Sequence, residues 1–176
     1  DIISIKDFKK INMRGIQSIS AFGKTEIADN YYFKIDSIEI GDSIFENNIF
    51  ISSEKNLIGN KFLENFSLII DWKENYIYLK KGENKLLNKF VDSFGFGYLF
   101  KNNRAYVQIL LEQESELKFG DEIIRIDEID FTNLNKEKAC NLFINDIFKD
   151  KSKITLKIKR GDGFYDFVLD KKRLLE

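Results

Sequence analysis

Short runs in which apolar and polar residues alternate are the feature that most constrains the fold of this chain. The clearest run places Ile154, Leu156 and Ile158 at alternate positions, with polar residues between them. Such alternation is typical of a strand with one buried face. The turn sequence Gly161-Asp162-Gly163 follows and leads into a second run over residues 164–169, which predicts a β-hairpin. Comparable short runs recur along the chain, and we therefore predict a mainly β fold with short helices.

The composition indicates a globular chain and excludes several classes of partner. Of 176 residues, 43% are hydrophobic and 14% aromatic, which is ample for a buried core. Lys and Arg number 28 against 29 Asp and Glu, so the net charge of −1 provides no basic field for nucleic acid. No apolar run approaches the ~18 residues of a membrane span. We expect neither a nucleic-acid partner nor a membrane span.

The scarcity of nucleophiles and soft metal ligands limits the chemistry of the chain. Histidine is absent, which excludes a Ser-His-Asp triad, a Cys-His pair and a His-ligated metal. Cys140 is the single cysteine and cannot form an internal disulfide or a thiolate zinc site. The carboxylates of Asp127, Glu128 and Asp130 suggest a cation site, but a tight turn explains them better because consecutive side chains point in different directions. We expect no catalytic residue, metal or cofactor in this chain.

The N-terminal half combines one predicted helix with several short strands. Ser4-Ile5-Lys6-Asp7 is similar to a capping box and predicts a short helix that presents Ile11 or Met13 on one face and ends at Gly15. Further along, residues 67–71 and 76–79 predict a hairpin. We expect Trp72, in the turn of that hairpin, to be a packed aromatic side chain.

The C-terminal half resembles a PDZ domain in the order of its predicted elements. Two strands, one helical turn at residues 115–117, a Gly-Asp turn, a strand, a longer helix capped by Asn135 and a hairpin follow one another. Ser93-Phe94-Gly95-Phe96 resembles the PDZ carboxylate-binding loop, usually written Gly-Leu-Gly-Phe. Residues 115–124 resemble the bacterial pattern Ser-x-Ala-x-x-Gly-Leu-x-x-Gly-Asp-x-Ile, shortened by a few residues. The resemblance covers about residues 91–174 and favours the circularly permuted bacterial version.

This resemblance implies that the chain binds a peptide C-terminus or an extended segment. Backbone N–H groups of the Phe-Gly-Phe loop would hold the carboxylate, and the following edge strand would pair with the peptide. The first, fifth and eighth positions of the helix, Lys136, Cys140 and Phe143, would form the other wall. Cys140 and Phe143 would line an apolar pocket, and Lys136 would face an acidic or neutral polar side chain of the ligand. The implied peptide-binding residues are Ser93, Phe94, Gly95, Phe96, Gly97, Lys136, Cys140 and Phe143, with Gly120 and Asp121 as structural residues.

Simpler interpretations of these residues stay open. Phe94 and Phe96 can be core aromatics with Gly95 only a turn residue, and Lys136 can be an exposed lysine without ligand contact. Without a histidine to pair with, Cys140 is expected at a half-buried groove position rather than as a nucleophile. Basic residues 157–160 and 171–173 alternate with apolar ones and are interpreted as solvated sheet faces, not as a nucleic-acid surface.

The first eighty residues resemble the C-terminal part of a retropepsin-like aspartic protease lobe. Leu57-Ile58-Gly59 is similar to the apolar-apolar-Gly triplet beside the catalytic loop of that family, and a short helix follows it. Leu68-Ile69-Ile70-Asp71-Trp72 resembles the next strand and the start of its hairpin. Residues 16–25 fall where the family carries its flap, and residues 38–42 resemble the next strand and turn. The resemblance implies a partial β lobe with Leu57, Ile58 and Gly59 as structural residues.

The chain departs from that family at the catalytic loop. No Asp is followed by Thr-Gly or Ser-Gly, and the loop of the family would fall just before Asp1. Two such loops are needed because the paired carboxylates share one proton. We therefore expect the chain as given to be catalytically inactive. Two alternatives remain: an active aspartic peptidase whose loop lies upstream, and a scaffolding protein with a degenerate lobe.

Together the two resemblances predict a retropepsin-like lobe over residues 1–80, a linker over residues 81–90 and a PDZ domain over residues 91–176. The PDZ part is expected to be a sandwich or partly open barrel with one longer helix. A second protease lobe is a further partner that the resemblance allows, and the family favours export in a bacterium.

Overall fold

The chain is mainly β, as predicted, and is described here by a computed structural model. The description covers residues 9–16, 19–20, 23–24, 26–40, 43–52, 63–64, 66–81, 90–111 and 116–175. Its strands are β1 (Lys10–Ile16), β2 (Ile19–Ser20), β3 (Gly23–Lys24), β4 (Ile27–Ile40), β5 (Ser43–Ile51), β6 (Phe66–Asp71), β7 (Tyr76–Lys81), β8 (Val91–Ser93), β9 (Phe96–Lys101), β10 (Arg104–Leu111), β11 (Glu122–Ile126), β12 (Ile129–Asp130), β13 (Lys153–Arg160), β14 (Gly163–Asp170) and β15 (Lys172–Leu175). Helix α1 spans Lys136–Ile144.

One large antiparallel sheet organises most of these strands. Its order is β14-β13-β11-β10-β1-β4-β5, with β12 beside β11 and β9 beside β10. Three separate pairs complete the description: β15 with β8, β2 with β3, and β6 with β7. Over the residues described, the sheets are open. Within the residues covered, no helix has the length and apolar character needed to cross a membrane.

The predicted helix ahead of Gly15 is wrong over the residues described. Residues 10–16 form β1, in which Ile11 and Met13 are buried and their neighbours are exposed. This alternation follows from pairing with β4 along the whole strand and with β10 at its C-terminal end. Ladder partners that are distant in the sequence therefore override the local capping signal, whose residues 4–7 lie outside the description.

Strand β1 places residues of the first predicted domain beside those of the second. Gly15 lies opposite Ile109 of β10. A Cβ atom on Gly15 would come within 2.6 Å of the Gln108 carbonyl oxygen and 2.8 Å of the Ile109 Cα. Only glycine permits this approach of the two backbones. One sheet thus contains strands from both predicted domains, and the division at residues 81–90 stays a prediction.

The main hydrophobic core is formed by residues of the C-terminal half of the chain. It includes Phe94, Phe96, Ala105, Val107, Leu117, Ile123, Ile126, Phe131, Leu134, Ile154, Leu156 and Ile158. The predicted alternation of Ile154, Leu156 and Ile158 is confirmed, as is the hairpin that joins β13 to β14. Helix α1 begins where predicted, because the Asn135 side chain accepts the Lys138 N–H at 2.8 Å. Residues 116 and 117 of the predicted helical turn at residues 115–117 are not helical, and residue 115 lies outside the described residues.

The β6–β7 hairpin is confirmed, but the packed position predicted for its tryptophan is wrong. Trp72 is 82% exposed. The turn is held instead by Asp71, whose Oδ1 accepts the N–H groups of Lys73 and Glu74 at 3.0 Å. Asn75 takes the left-handed conformation that ends the turn, with φ of 58°. The hydrogen bonds of Asp71 and of the backbone are sufficient to form the turn, so the Trp72 side chain is not needed for packing and extends into solvent.

Replacing Gly15 by alanine tests the close approach between β1 and β10. We expect Gly15→Ala to lower the free energy of unfolding by about 2 kcal/mol, because the added methyl group meets backbone atoms and forces the strands apart. Urea unfolding monitored by circular dichroism measures the change. Gly163→Ala is the control, since its Cβ would meet only the side chain of Tyr165. Equal stability of Gly15→Ala and the parent chain would contradict this view of the β1–β10 contact.

Candidate functional site

The loop between β8 and β9 contains the residues predicted to bind a carboxylate. Gly95 has φ of 86°, a conformation that glycine adopts without strain. Its N–H donates to Ser93 Oγ at 3.0 Å, and its carbonyl accepts the Leu111 N–H at 2.9 Å. The loop is therefore fixed at both groups of Gly95. One of the three N–H groups expected to face a carboxylate already has an intramolecular acceptor.

The side chains of Phe94 and Phe96 belong to the core. Both are buried, and their rings lie 5.3 Å and 5.8 Å from the ring of Phe148. The simpler interpretation of these two residues as core aromatics is therefore correct for their side chains. Any recognition role for this loop must use its backbone.

The register of β9 with β10 determines which backbone groups of β9 are turned outward. Phe96 lies opposite Leu110. The next residue of β10, Leu111, donates its N–H to the carbonyl of the preceding residue, Gly95. In an antiparallel ladder this pattern identifies Phe96 and Leu110 as a pair that does not exchange hydrogen bonds. Tyr98 lies opposite Val107, on the other side of a bulge. Both backbone groups of Val107 bond elsewhere, to Gly120 and Asp121 at 2.9 Å.

The N–H and carbonyl groups of Phe96 and Tyr98 therefore point away from β10. Among the strands described, β9 pairs with β10 alone. Its second edge thus presents alternate, unpaired N–H and C=O groups, which is the arrangement that an incoming strand can extend. Gly97 lies between these two residues, directly against Ile109 of β10.

The Gly120-Asp121 turn holds β10 from the side opposite β9. Asp121 is 2% exposed, and its carboxylate accepts the Nε and a terminal NH2 of Arg160 at 2.7 Å and 2.6 Å. The same carboxylate accepts the Lys118 N–H at 2.7 Å. A buried carboxylate with these donors is fully compensated. The turn can therefore present its own backbone rigidly to Val107.

An aromatic layer covers one face of β9. The Tyr98 ring lies 5.7 Å from Phe131 and 6.1 Å from Phe148, the residues that flank α1. Phe100 stacks on Phe131 at 6.4 Å. Burial, assisted by the negative charge of Asp146, raises the pKa of Tyr98 to about 12. Tyr98 thus stays neutral across the physiological range and acts as a packing group.

The helix residues predicted to line the groove show mixed outcomes. Lys136 is the first residue of α1 and is exposed, which agrees with either interpretation of this lysine. Cys140 is exposed rather than half-buried, so the predicted burial is wrong. It lies on the solvent side of a helix whose Ala139 and Leu142 pack on the core. The side chain of Phe143 lies outside the description, and the ligand contacts of all three residues stay predictions.

A basic cavity lies beside the loop, and the sequence analysis missed it. This basic cavity is a shallow depression, wide open to solvent, with a volume of about 580 Å³, and it is lined by Asp92, Lys149, Asp150, Lys151, Ser152, Lys171 and Arg173. Lys171 and Arg173 were interpreted as part of a solvated face. Their closeness in the sequence, at the junction of β14 and β15, was the available signal, but the partner segments around residues 92 and 149–152 are far away in the sequence.

Existing contacts orient the side chains of the basic cavity. The Lys171 ammonium donates to the carbonyls of Phe148 and Lys149 at 2.5 Å and 3.1 Å, and lies 5.5 Å from the Phe94 ring centroid. Arg173 donates to both carboxylate oxygens of Asp92 at 2.9 Å and 3.2 Å. This bond lowers the pKa of Asp92 below its ordinary value. The carboxylate beside Arg173 is therefore charged at neutral pH.

The acidic residues 127–130 contain the predicted turn, which joins β11 to β12. Asp127 has φ of 49°, and its carboxylate accepts the Thr155 N–H at 2.7 Å and the Lys151 ammonium at 2.5 Å. Burial alone would raise the pKa of Asp127, but the hydrogen bonds from Lys151 and Thr155 outweigh it and lower the pKa. Nowhere in the described ranges do three or more carboxylate or thiol side chains gather closely enough to hold a metal.

Leu57, Ile58 and Gly59, the triplet on which the protease resemblance partly rests, lie outside the described residues. That resemblance and the PDZ resemblance both stay predictions. Comparison of this chain with protein families, characterised proteins and solved structures gave no match.

The lowered pKa of Asp127 predicts how stability responds to acid. A carboxylate with a lowered pKa contributes stability above its ordinary pKa and loses that contribution as the pH falls below about 4. When the pH falls from about 7 to about 3, the free energy of unfolding should decrease by about 1 kcal/mol less in Asp127→Asn than in the parent chain. Solvent screening limits the size of this difference. Urea unfolding at both pH values measures it.

The control for this prediction is Asp166→Asn, which removes an exposed carboxylate without a described side-chain partner. It should reproduce the acid sensitivity of the parent chain. If Asp127→Asn and Asp166→Asn respond to acid identically, the interaction of Asp127 with Lys151 and Thr155 contributes nothing to folding.

Proposed function

We propose that this chain recognises extended peptides by adding them as a strand to the open edge of β9. The observation that carries the proposal is the outward direction of the N–H and C=O groups of Phe96 and Tyr98. These groups lie two residues apart, the spacing at which an antiparallel peptide places its own backbone partners. In this scheme the chain is the peptide-recognition part of an aspartic-protease-like protein.

The direction of the peptide follows from the position of the loop. An antiparallel peptide runs from Lys101 towards Phe96, so its C-terminal end arrives at the loop that contains Gly95. The Phe96 N–H, at the start of the strand, is available there as a donor. A terminal carboxylate gains charge-assisted hydrogen bonds from such N–H groups. This geometry supports recognition of a free C-terminus over recognition of an internal segment.

Recognition, rather than catalysis, is the role proposed for this chain. It carries no Asp-Thr-Gly or Asp-Ser-Gly sequence, and the groups that line the β9 edge are backbone amides. Backbone pairing supplies affinity with little side-chain selectivity, so specificity must come from side chains at the two ends of the edge.

Hydrogen exchange provides a residue-level test of strand addition. A pool of peptides with six randomised C-terminal residues is passed over the immobilised chain, and one retained peptide is synthesised with a free and with an amidated C-terminus. On binding the free form, we expect exchange of the Phe96 and Tyr98 N–H groups to slow by about tenfold or more. NMR spectroscopy of the 15N-labelled chain in D2O measures the exchange rates.

The amides of Gly97 and Leu99 serve as the internal control, because they face β10 and are protected before the peptide is added. The amidated peptide should bind more weakly. Peptide binding without added protection at Phe96 and Tyr98 would contradict the proposal, as would a failure of the pool to yield any bound peptide.

Lys136 tests whether the start of α1 contributes to specificity. A retained peptide with Asp or Glu two residues before its C-terminus should bind Lys136→Glu more weakly by about 1 kcal/mol, the scale of one charge-assisted hydrogen bond. A glutamate at the first position of a helix favours the helix, so the loss would not arise from unfolding. Isothermal titration calorimetry measures the affinity.

Lys73→Glu makes the same charge change in the exposed turn of the β6–β7 pair, which shares no ladder with β9, and should leave the affinity unchanged. Equal affinities for Lys136→Glu and the parent chain would show that Lys136 makes no ligand contact.

A further inference from the structure

We propose that the basic cavity between β8, β15 and the turn after α1 binds a carboxylate of the peptide. The inference rests on the proposed function, because it assigns this cavity to the ligand that pairs with β9. It adds a charged site, distinct from the backbone N–H groups of the loop, and names the chemical group that the site takes.

The position of the basic cavity supports this assignment. Its wall residue Asp92 is two positions before Phe94 in the same loop region, and Lys171 lies over the Phe94 ring at 5.5 Å. Phe148, whose carbonyl binds Lys171, contacts the Phe94 and Phe96 rings. The cavity therefore lies at the end of β9 where the C-terminal end of an antiparallel peptide arrives.

The charges of the basic cavity favour an anion. Four cationic side chains and two carboxylates line it, and Asp127 pairs with the lining residue Lys151 from outside, which leaves an excess of one positive charge. Arg173 neutralises Asp92 through its paired hydrogen bonds. Lys149 is exposed and its ammonium has no partner among the residues described. An anion that enters the cavity thus meets the ammonium groups of Lys149 and Lys171, neither of which forms an ion pair among the residues described.

Lys171 is preorganised to donate to such an anion. An ammonium group has three N–H donors, and two of those of Lys171 are directed to the carbonyls of Phe148 and Lys149. The third donor remains for a ligand, and the two existing bonds fix the nitrogen in place. Binding to a group held in this way costs little side-chain entropy.

The loop itself gives a reason for a second set of donors. The Gly95 N–H is directed to Ser93 Oγ and is not available to a ligand in this arrangement. The loop therefore offers fewer N–H groups than the resemblance implied. Cations beside the loop compensate for this deficit, since ammonium–carboxylate bonds are among the stronger hydrogen bonds.

Acetate is the probe that tests the basic cavity independently of any peptide. In titrations of the 15N-labelled full chain, we expect acetate to shift the amide signals of residues 149–152 and 171–173 in a saturable way, and acetamide to leave them unchanged. Lys149→Gln should raise the apparent dissociation constant for acetate at least threefold. This substitution removes a side chain with no described partner, so the fold should be retained.

Lys172→Gln is the matched control. Lys172 follows Lys171 as the first residue of β15 and lies opposite Ser93 in the ladder, but its side chain does not line the basic cavity. It should bind acetate with the affinity of the parent chain. Equal weakening by Lys149→Gln and Lys172→Gln would reduce the effect to net charge and overturn the assignment. Absence of saturable shifts with acetate would also overturn it.

The retained peptide distinguishes the two sources of the carboxylate. If the C-terminal carboxylate occupies the basic cavity, Lys149→Gln should weaken binding of the free peptide at least threefold and leave the amidated peptide unaffected. If an Asp or Glu side chain occupies it, the loss should persist after amidation. Either result supports the assignment, whereas an unchanged affinity of both peptides for Lys149→Gln would overturn it.

The same experiments separate this inference from the proposed function. Saturable acetate binding at residues 149–152 and 171–173 without peptide protection at Phe96 and Tyr98 would support a carboxylate site while contradicting strand addition. Protection at Phe96 and Tyr98 with unaltered affinity in Lys149→Gln would retain strand addition and overturn the basic cavity as its partner.

Discussion

The structure depends on the backbone of β10, which pairs with three other strands. Its N-terminal part pairs with β11 and its C-terminal part with β1, while β9 takes the opposite side. At the junction, Val107 directs both of its backbone groups to the Gly120-Asp121 turn, which the ion pair of Asp121 and Arg160 fixes. This arrangement leaves Tyr98 without a backbone partner on β10. Val107 and Tyr98 are thus a non-hydrogen-bonded pair, and the backbone groups of Tyr98 point to the far edge of β9, where no described strand lies.

Features specified by neighbouring residues could be predicted from the sequence. The β13–β14 hairpin follows from the alternation of Ile154, Leu156 and Ile158 and from the glycine turn behind them, all within one short segment. Helix α1 follows from the Asn135 cap in the same way. Turn and cap chemistry acts over three or four residues, so the sequence shows it directly wherever no distant strand partner overrides it.

Features specified by distant partners could not be predicted. Nothing in residues 10–16 indicates that this strand will pair with β4 and β10, and a local capping signal predicted a helix instead. The loop around Gly95 was found, but the bond from Gly95 to Ser93 Oγ, which changes the donors on offer, depends on side-chain geometry. The basic cavity collects residues from three separate segments, and no local pattern in the sequence brings Asp92, Lys149 and Lys171 together.

The place of β1 in the sheet has a consequence for the C-terminal half as a separate piece. In the whole chain, β1 covers the backbone of residues 109–111 through Gly15 and its neighbours. Without β1, those N–H and C=O groups would form a second exposed edge beside a strand that is already open on its far side. Two unpaired edges on one small sheet invite association between copies of the fragment. Strand β1 thus protects the C-terminal half of the chain from aggregation by covering the edge of β10.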